Sequence, residues 1–262
     1  MIITLKLLKT EFKKAFNYRF YIVICLFTAL LLFGLFKYQH IDGTGIFKPD
    51  NAFHGWFYSV EIGCFHIVEY LTPLIVVIAF GDSLYSELNS GYIRMVCTRA
   101  NFNDYIKAKF IASSVIAFLT ITIPNLILFI ASLILHKTTI PSYNYWNPHG
   151  ELMGLYFSSP TIYILFCILV MGLFAVVYSS LSVSISFYAG HRSIVLLFPF
   201  FIYIVFQFFC DFGSLIQIQP RLSLMYYLES CHLFIISIIE YILVLTLSFA
   251  LTRKKLKDKP II

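Results

Sequence analysis

The chain has 262 residues, of which 60% are apolar and only 12% charged, with a formal net charge of +6. A soluble domain averages nearer half apolar and about a quarter charged, so one water-facing core is excluded and the bilayer must solvate much of the surface. Every long run is apolar, and residues 1–262 read as a single transmembrane domain.

Residues 1–19 carry Lys6, Lys9, Lys13, Lys14 and Arg19, with Leu5, Leu8, Phe12, Ala15 and Phe16 at helical spacing. That pattern predicts an amphipathic helix lying in the interface, its lysines toward anionic head groups. The first long apolar run, 20–36, lacks a small-residue cleavage pattern beyond Phe36 and reads as a retained anchor. Five more runs follow, at 62–81, 110–135, 161–187, 193–210 and 232–251. Each is near the roughly 20 residues that a helix needs to cross hydrocarbon. All are apolar on both parities, which fits self-satisfied helices and not the alternating strands of a membrane barrel. The expected fold is an all-α membrane protein of six transmembrane helices.

Within the second run, His66 and Glu69 stand three apart on one helix face. The spacing suits a metal or a proton relay, but with no third ligand in view a hydrogen-bonded pair inside the bundle is favoured. The interlude 82–109 carries Asp82, Glu87, Arg94, Arg99, Asp104, Lys107 and Lys109, an unusual density of charge for this chain. Residues 85–96 suit a helix apart from Gly91, with Leu88, Tyr92 and Met95 or Val96 as an apolar stripe. A short helix of that kind fits a groove on a soluble protein, and a loop resting on lipid is the alternative.

The fourth run contains Gly172, Ala175 and the serines 179, 180, 182, 184 and 186, a small-residue surface for close helix packing. In the fifth, Phe201 and Phe208 belong to a crowd of rings around Gln207. The stretch 211–231 is too apolar for a plain exposed loop. Glu240 lies mid-span in the sixth run, where a lone carboxylate is costly and either stays neutral or pairs across helices. Trp56 and Trp146 are expected as interfacial anchors. Cys210 and Cys231 leave room for one bridge, but the six cysteines show no metal or redox spacing.

Six spans divide the cations unequally. Fifteen lysines and arginines fall on the side that holds both termini and the 82–109 interlude, against four on the other side. Both termini are therefore expected in the cytoplasm of a multi-pass cell-membrane protein. The asymmetry accounts for the net charge without nucleic acid. Phosphate-loop, zinc-helix and serine-elbow motifs are all missing from the sequence, so no catalytic residue, metal site or cofactor is assigned.

The run E-L-N-S-G-Y-I-R from Glu87 to Arg94, then Thr98 with Arg99, then Y-I-K-A-K-F from Tyr105 to Phe110, resembles the cytoplasmic signature of ABC type-2 exporter permeases. Glu87, Gly91, Arg94, Arg99 and Lys109 match its charged and glycine positions, while Tyr92, Ala100 and Ala108 depart from it. The resemblance implies that 82–109 is a coupling segment seated on a separate ATPase subunit, which would hold ATP and Mg. It also implies that 211–231 contains short re-entrant helices, and that the permease works as a dimer with a second copy or a paralogue.

The expected function is export, by such a permease, of an amphipathic or hydrophobic substrate, foremost a membrane-active peptide. Phe201, Gln207, Phe208, Glu240 and Glu69 are the expected lining of the path, since aromatic walls with few polar groups disfavour sugars and small ions. Lipid or hydrophobic drug efflux is an alternative. An intramembrane enzyme using His66, Glu69 and Glu240, or a sensory subunit without transport, are others.

Overall fold

A computed structural model of the protein describes residues 2–40, 51–60, 67–98, 100–139, 153–212, 239 and 241–252. Among them the chain is helical, with no strand. The helices are α1 (Ile2–Ala15), α2 (Tyr18–Gln39), α3 (Ala52–Tyr58), α4 (Ile67–Val76), α5 (Ser83–Asn89), α6 (Tyr92–Cys97), α7 (Phe102–Leu135), α8 (Met153–Ser158), α9 (Pro160–Ile185), α10 (Arg192–Phe212) and α11 (Tyr241–Thr252). A π-helical turn, Val77–Gly81, joins α4 to α5.

Three of these, α2, α7 and α9, are long and apolar enough to cross a membrane, and a fourth crossing is made if the bent pair Tyr70–Gly81 and Ser83–Asn89 counts as one span. The bend of 43° follows the π turn, where the regular hydrogen-bond ladder is broken. The fifth and sixth expected spans are represented by shorter apolar helices, Arg192–Val205 and Tyr241–Thr252. The expected re-entrant stretch 211–231 lies, but for Asp211 and Phe212, outside the described residues.

Local chemistry sets the helix starts. Asn17 caps α2, its side chain accepting from the backbone N–H groups of Arg19 at 3.0 Å and Phe20 at 3.3 Å. Asn101 caps α7 in the same way, and Pro160 opens α9, where a missing N–H costs nothing. α2 buries Phe20, Val23, Phe27, Leu31, Leu35 and Tyr38 at three-to-four spacing and leaves Tyr21, Ile22, Leu26, Phe33 and Phe36 exposed. An apolar face that no protein covers is what lipid would solvate.

The small-residue surface of α9 lies at close helix contacts. A Cβ on Gly172 would come within 2.5 Å of the Phe118 ring of α7, so only glycine admits that approach. Ser179 bonds Ser113 of α7, Ser180 meets Ser248 of α11 at 3.1 Å, and Ser182 donates to the Val195 carbonyl of α10 at 3.3 Å. Each hydroxyl is thus satisfied on a neighbour, which makes α9 the central post of the bundle.

One expectation is overturned. Trp56 is fully buried, not an interfacial anchor: α3 tucks into the end of the bundle, and the indole donates to the Asn125 carbonyl of α7 at 3.3 Å. The Phe57 ring meets the indole edge to face, and Tyr156 and Tyr163 pack on Phe57 in turn, so the indole belongs to a buried aromatic cluster. Trp146 lies outside the described residues.

At the opposite end gather the starts of α2, α7 and α10 and the ends of α9 and α11, together with the segment that follows α4. Tyr85 of α5 donates to the Gly190 carbonyl at 2.9 Å, and Tyr188 donates to the Leu251 carbonyl at 2.8 Å.

Candidate functional site

The polar interlude folds as two short helices. α5 ends at Ser90, and Gly91 takes a left-handed conformation with φ 73° before α6 begins. A side chain there would meet no atom, so glycine is required by the backbone and not by space.

Beneath α5 lies a closed ring of alternating charges. Glu87 accepts from Lys109 at 2.7 Å through one carboxylate oxygen and from Lys14 at 2.8 Å through the other. Glu11 of α1 receives the same two lysines, Lys109 at 2.7 Å and Lys14 at 2.8 Å. The Tyr105 hydroxyl donates a further hydrogen bond to Glu87. The Lys14 ammonium also sits 4.1 Å from the centre of the Tyr92 ring, and that of Lys109 lies 4.8 Å from the centre of the Phe80 ring. Lys109 has 0% exposure and Glu11 1%, so these two charges are compensated by protein partners, while Lys14, 35% exposed, closes the ring at its wet side.

Two charges of each sign leave the ring neutral. Burial alone would push the Glu87 carboxyl up, but the charge and hydrogen bond of Lys109, with those of Lys14 and Tyr105, hold it below its ordinary value. For Lys14, burial pulls downward, yet hydrogen bonds to Glu11 and Glu87 outweigh it and hold the ammonium above its ordinary value.

A second node stands at the bend. Asp82 is buried between Arg19, at 3.5 Å, and Arg192, whose guanidinium closes on the same carboxylate oxygen. It therefore ties the starts of α2, α5 and α10. Together the two nodes connect the polar segment to α1, α2, α7 and α10 through charge-assisted contacts.

Two of the five residues expected at this segment, Glu87 and Lys109, are in direct contact, and they face inward. Arg94 is exposed on α6 beside Met95, which has 63% exposure. Arg94, Met95 and Val96 form one wall of an open groove of about 870 Å³, and Lys6, Leu7 and Thr10 of α1 form the other. Arg99 lies outside the described residues, as do His66 and the side chains of Glu69, Gln207 and Glu240. Phe201 and Phe208 of α10 are 55% and 63% exposed, turned away from the interior that buries Tyr203.

Sequence reasoning missed Glu11. It is the single acid among the first 41 residues, surrounded by five cations, and that isolation was a readable sign of a buried pair. The inward face of α1 accordingly includes Glu11 and Lys14 beside Ala15, while Phe16 of the expected apolar stripe is exposed. Lys6, Lys9 and Lys13 remain outward.

Comparison of the chain with family models, with curated proteins and with solved structures gives no match.

Proposed function

We propose that the chain is the membrane-spanning subunit of an ATP-driven exporter of the ABC type-2 permease kind. The observation that carries the reading is the charge ring beneath a jointed, exposed helix pair. A segment that receives force from a soluble motor needs a rigid base and a free outer face. Glu87, Lys109, Lys14 and Glu11 make the base, while Arg94 and Met95 lie on the free face. A groove with cations at its rim and an apolar floor suits a partner helix or loop of opposite charge.

The bond chemistry belongs to a separate ATPase subunit that holds ATP and Mg, and the permease acts as a dimer in the cell membrane. Six spans with both termini cytoplasmic are part of the same reading. Helix starts and ends meet at the polar end in the alternation such a topology requires. ATP-driven closure of the motor would shift α5 and α6, and the two ionic nodes would carry that shift into α7 and α10. The gate is then a two-state equilibrium biased from outside. The cargo is an apolar or amphipathic substrate, foremost a membrane-active peptide; Phe201 and Phe208, which face out of this copy, would line its path only where a second copy closes over them.

The test is to purify the full chain from its native membrane with its bound partners and assay ATP hydrolysis with and without an amphipathic helical peptide. Peptide-stimulated hydrolysis that is lost in Arg94→Glu, with the membrane fold intact, is the expected result. A preparation that carries no ATPase, from cells whose peptide export does not depend on the chain, would refute the reading.

A further inference from the structure

The bundle has a second recess, away from the polar segment, whose chemistry the transport reading does not use. It is a cleft of about 330 Å³ between α7 and α11, with α9 at its back. Lys107, Phe110, Ile111 and Ser114 of α7 recur at three-to-four spacing and form one wall, and Leu245 and Phe249 of α11 form the other. The back is the hydroxyl contact at 3.1 Å between Ser180 of α9 and Ser248 of α11. Ile111 and Phe249 are each half exposed, so the cleft opens sideways, out of the bundle.

Two lysines one turn-face apart have opposite fates here. Lys109 is wholly buried and saturated by Glu11 and Glu87. Lys107 is exposed at the mouth of the cleft and makes no ion pair among the described residues. It stands three residues before Phe110, where the apolar part of α7 begins. With the hydrocarbon edge taken at Phe110, three residues at about 1.5 Å each put Lys107 roughly 4.5 Å outside it, at head-group depth. The walls that run inward from it are apolar.

We propose that this cleft binds one anionic phospholipid from the leaflet that faces the polar end, with the phosphate at Lys107. Part of one acyl chain lies between Phe110 and Ile111 on one side and Leu245 and Phe249 on the other. Charge selects this occupant over the chain's own continuation, because the residues after Thr252 read RKKLKDKPII and would be repelled by Lys107. Width selects it over a helix of a second copy: a helix with side chains is about 10 Å across, whereas 330 Å³ is at the small end of ligand recesses, which begin near roughly 300 Å³. The inference needs a bilayer around α7 but not an ATPase partner, so it stands or falls apart from the transport reading.

The experiment uses the full chain purified in neutral detergent. It is titrated with phosphatidylglycerol or with phosphatidylcholine of the same acyl chains, and bound lipid is counted by native mass spectrometry. The intact protein is expected to retain the anionic lipid about fivefold better, the worth of one lysine at an anionic head group. Lys107→Gln should make the two lipids equal, and Lys13→Gln, on exposed α1, should leave the preference in place. Ile111→Trp, at a half-exposed position, should fill the cleft and weaken retention of both lipids. Persistence of the preference in Lys107→Gln, or its loss in Lys13→Gln, would overturn the proposal. So would competition by inorganic phosphate as effective as by the lipid, which indicates a free-anion site. A change of oligomeric mass in Ile111→Trp without loss of lipid would mark a contact between copies and overturn it as well.

Discussion

Replacing Lys109 with methionine tests the charge ring most directly. Methionine keeps the unbranched apolar stem, one atom shorter, but leaves Glu11 and Glu87 sharing the single charge of Lys14. Removing one partner of a buried ion pair typically costs about 3–5 kcal/mol, because the surviving charge is uncompensated. The protein has an escape: one carboxyl takes up a proton. Protonating a glutamate of ordinary pKa near 4.3 at pH 7 costs about 3.7 kcal/mol, from roughly 1.4 kcal/mol per unit. That sets the ceiling on the damage at neutral pH. At pH 5.5 the ceiling falls to about 1.6 kcal/mol by the same conversion.

The sign follows from proton counting. The variant's folded state binds a proton that its unfolded state releases, so stability falls as pH rises above the carboxylate range. Thermal unfolding of the purified chain at pH 5.5, 7 and 8 should show Lys109→Met recovering toward the parent as the pH drops. Adding Glu87→Gln should restore much of the loss at pH 7, since Glu11 and Lys14 then balance. A Lys109→Met penalty below about 1 kcal/mol that does not change with pH would refute the claim that the buried charges of this ring are compensated by protein partners.

Further expectations concern the joint, the helix contact, the Glu87 carboxylate and the topology. Gly91→Ala meets no atom, so it should cost only the left-handed strain of about 1–2 kcal/mol, read as a lower melting temperature, and Gly91→Asn should cost less. Gly172→Ala drives a methyl against Phe118 and should cost about 1–3 kcal/mol in the same assay, with Phe118→Leu relieving it. Because Glu87 is held below its ordinary value, its contribution is present above the unfolded pKa and lost as pH falls through the folded one. Protease cleavage at the polar segment should therefore rise sharply only in strong acid, and Glu87→Gln should remove that step. Reporters fused after Ile262 and at Asn101 should read cytoplasmic and one at Asn147 external; an external C-terminus would contradict the six-span arrangement.

Much of the architecture was legible because hydropathy acts over whole segments. The cores of α2, α7 and α9 fall within one or two residues to about a turn of the apolar runs, since twenty apolar side chains leave few alternatives to a helix. The long polar foot of α7, residues 102–109, was read as part of the interlude, because charge hides a helix that tertiary pairing stabilises. Glu87 and Lys109 stood out by type and spacing, but their inward direction did not. Their direction depends on Glu11, almost a hundred residues from Lys109, and no local pattern encodes that contact. Trp56 failed for a related reason: an indole near a span end looks interfacial unless one knows that its own segment folds back onto Asn125.

The length of α7 has a mechanical consequence. Thirty-four residues make a rod of about 51 Å, well beyond the roughly 30 Å of hydrocarbon it would cross. Its first eight residues, up to Lys109, form a short arm of about 12 Å, and the remainder a long arm of about 39 Å. Were the rod to pivot rigidly at Lys109, these lengths would turn 1 Å at Phe102 into about 3 Å at Leu135. Pro124 sits part-way along the long arm, where it removes one rung of the ladder and supplies the natural place for the rod to flex. α7 thus joins a charged foot, held to α1 and α5 through Glu11 and Glu87, to a long apolar shaft in one continuous helix.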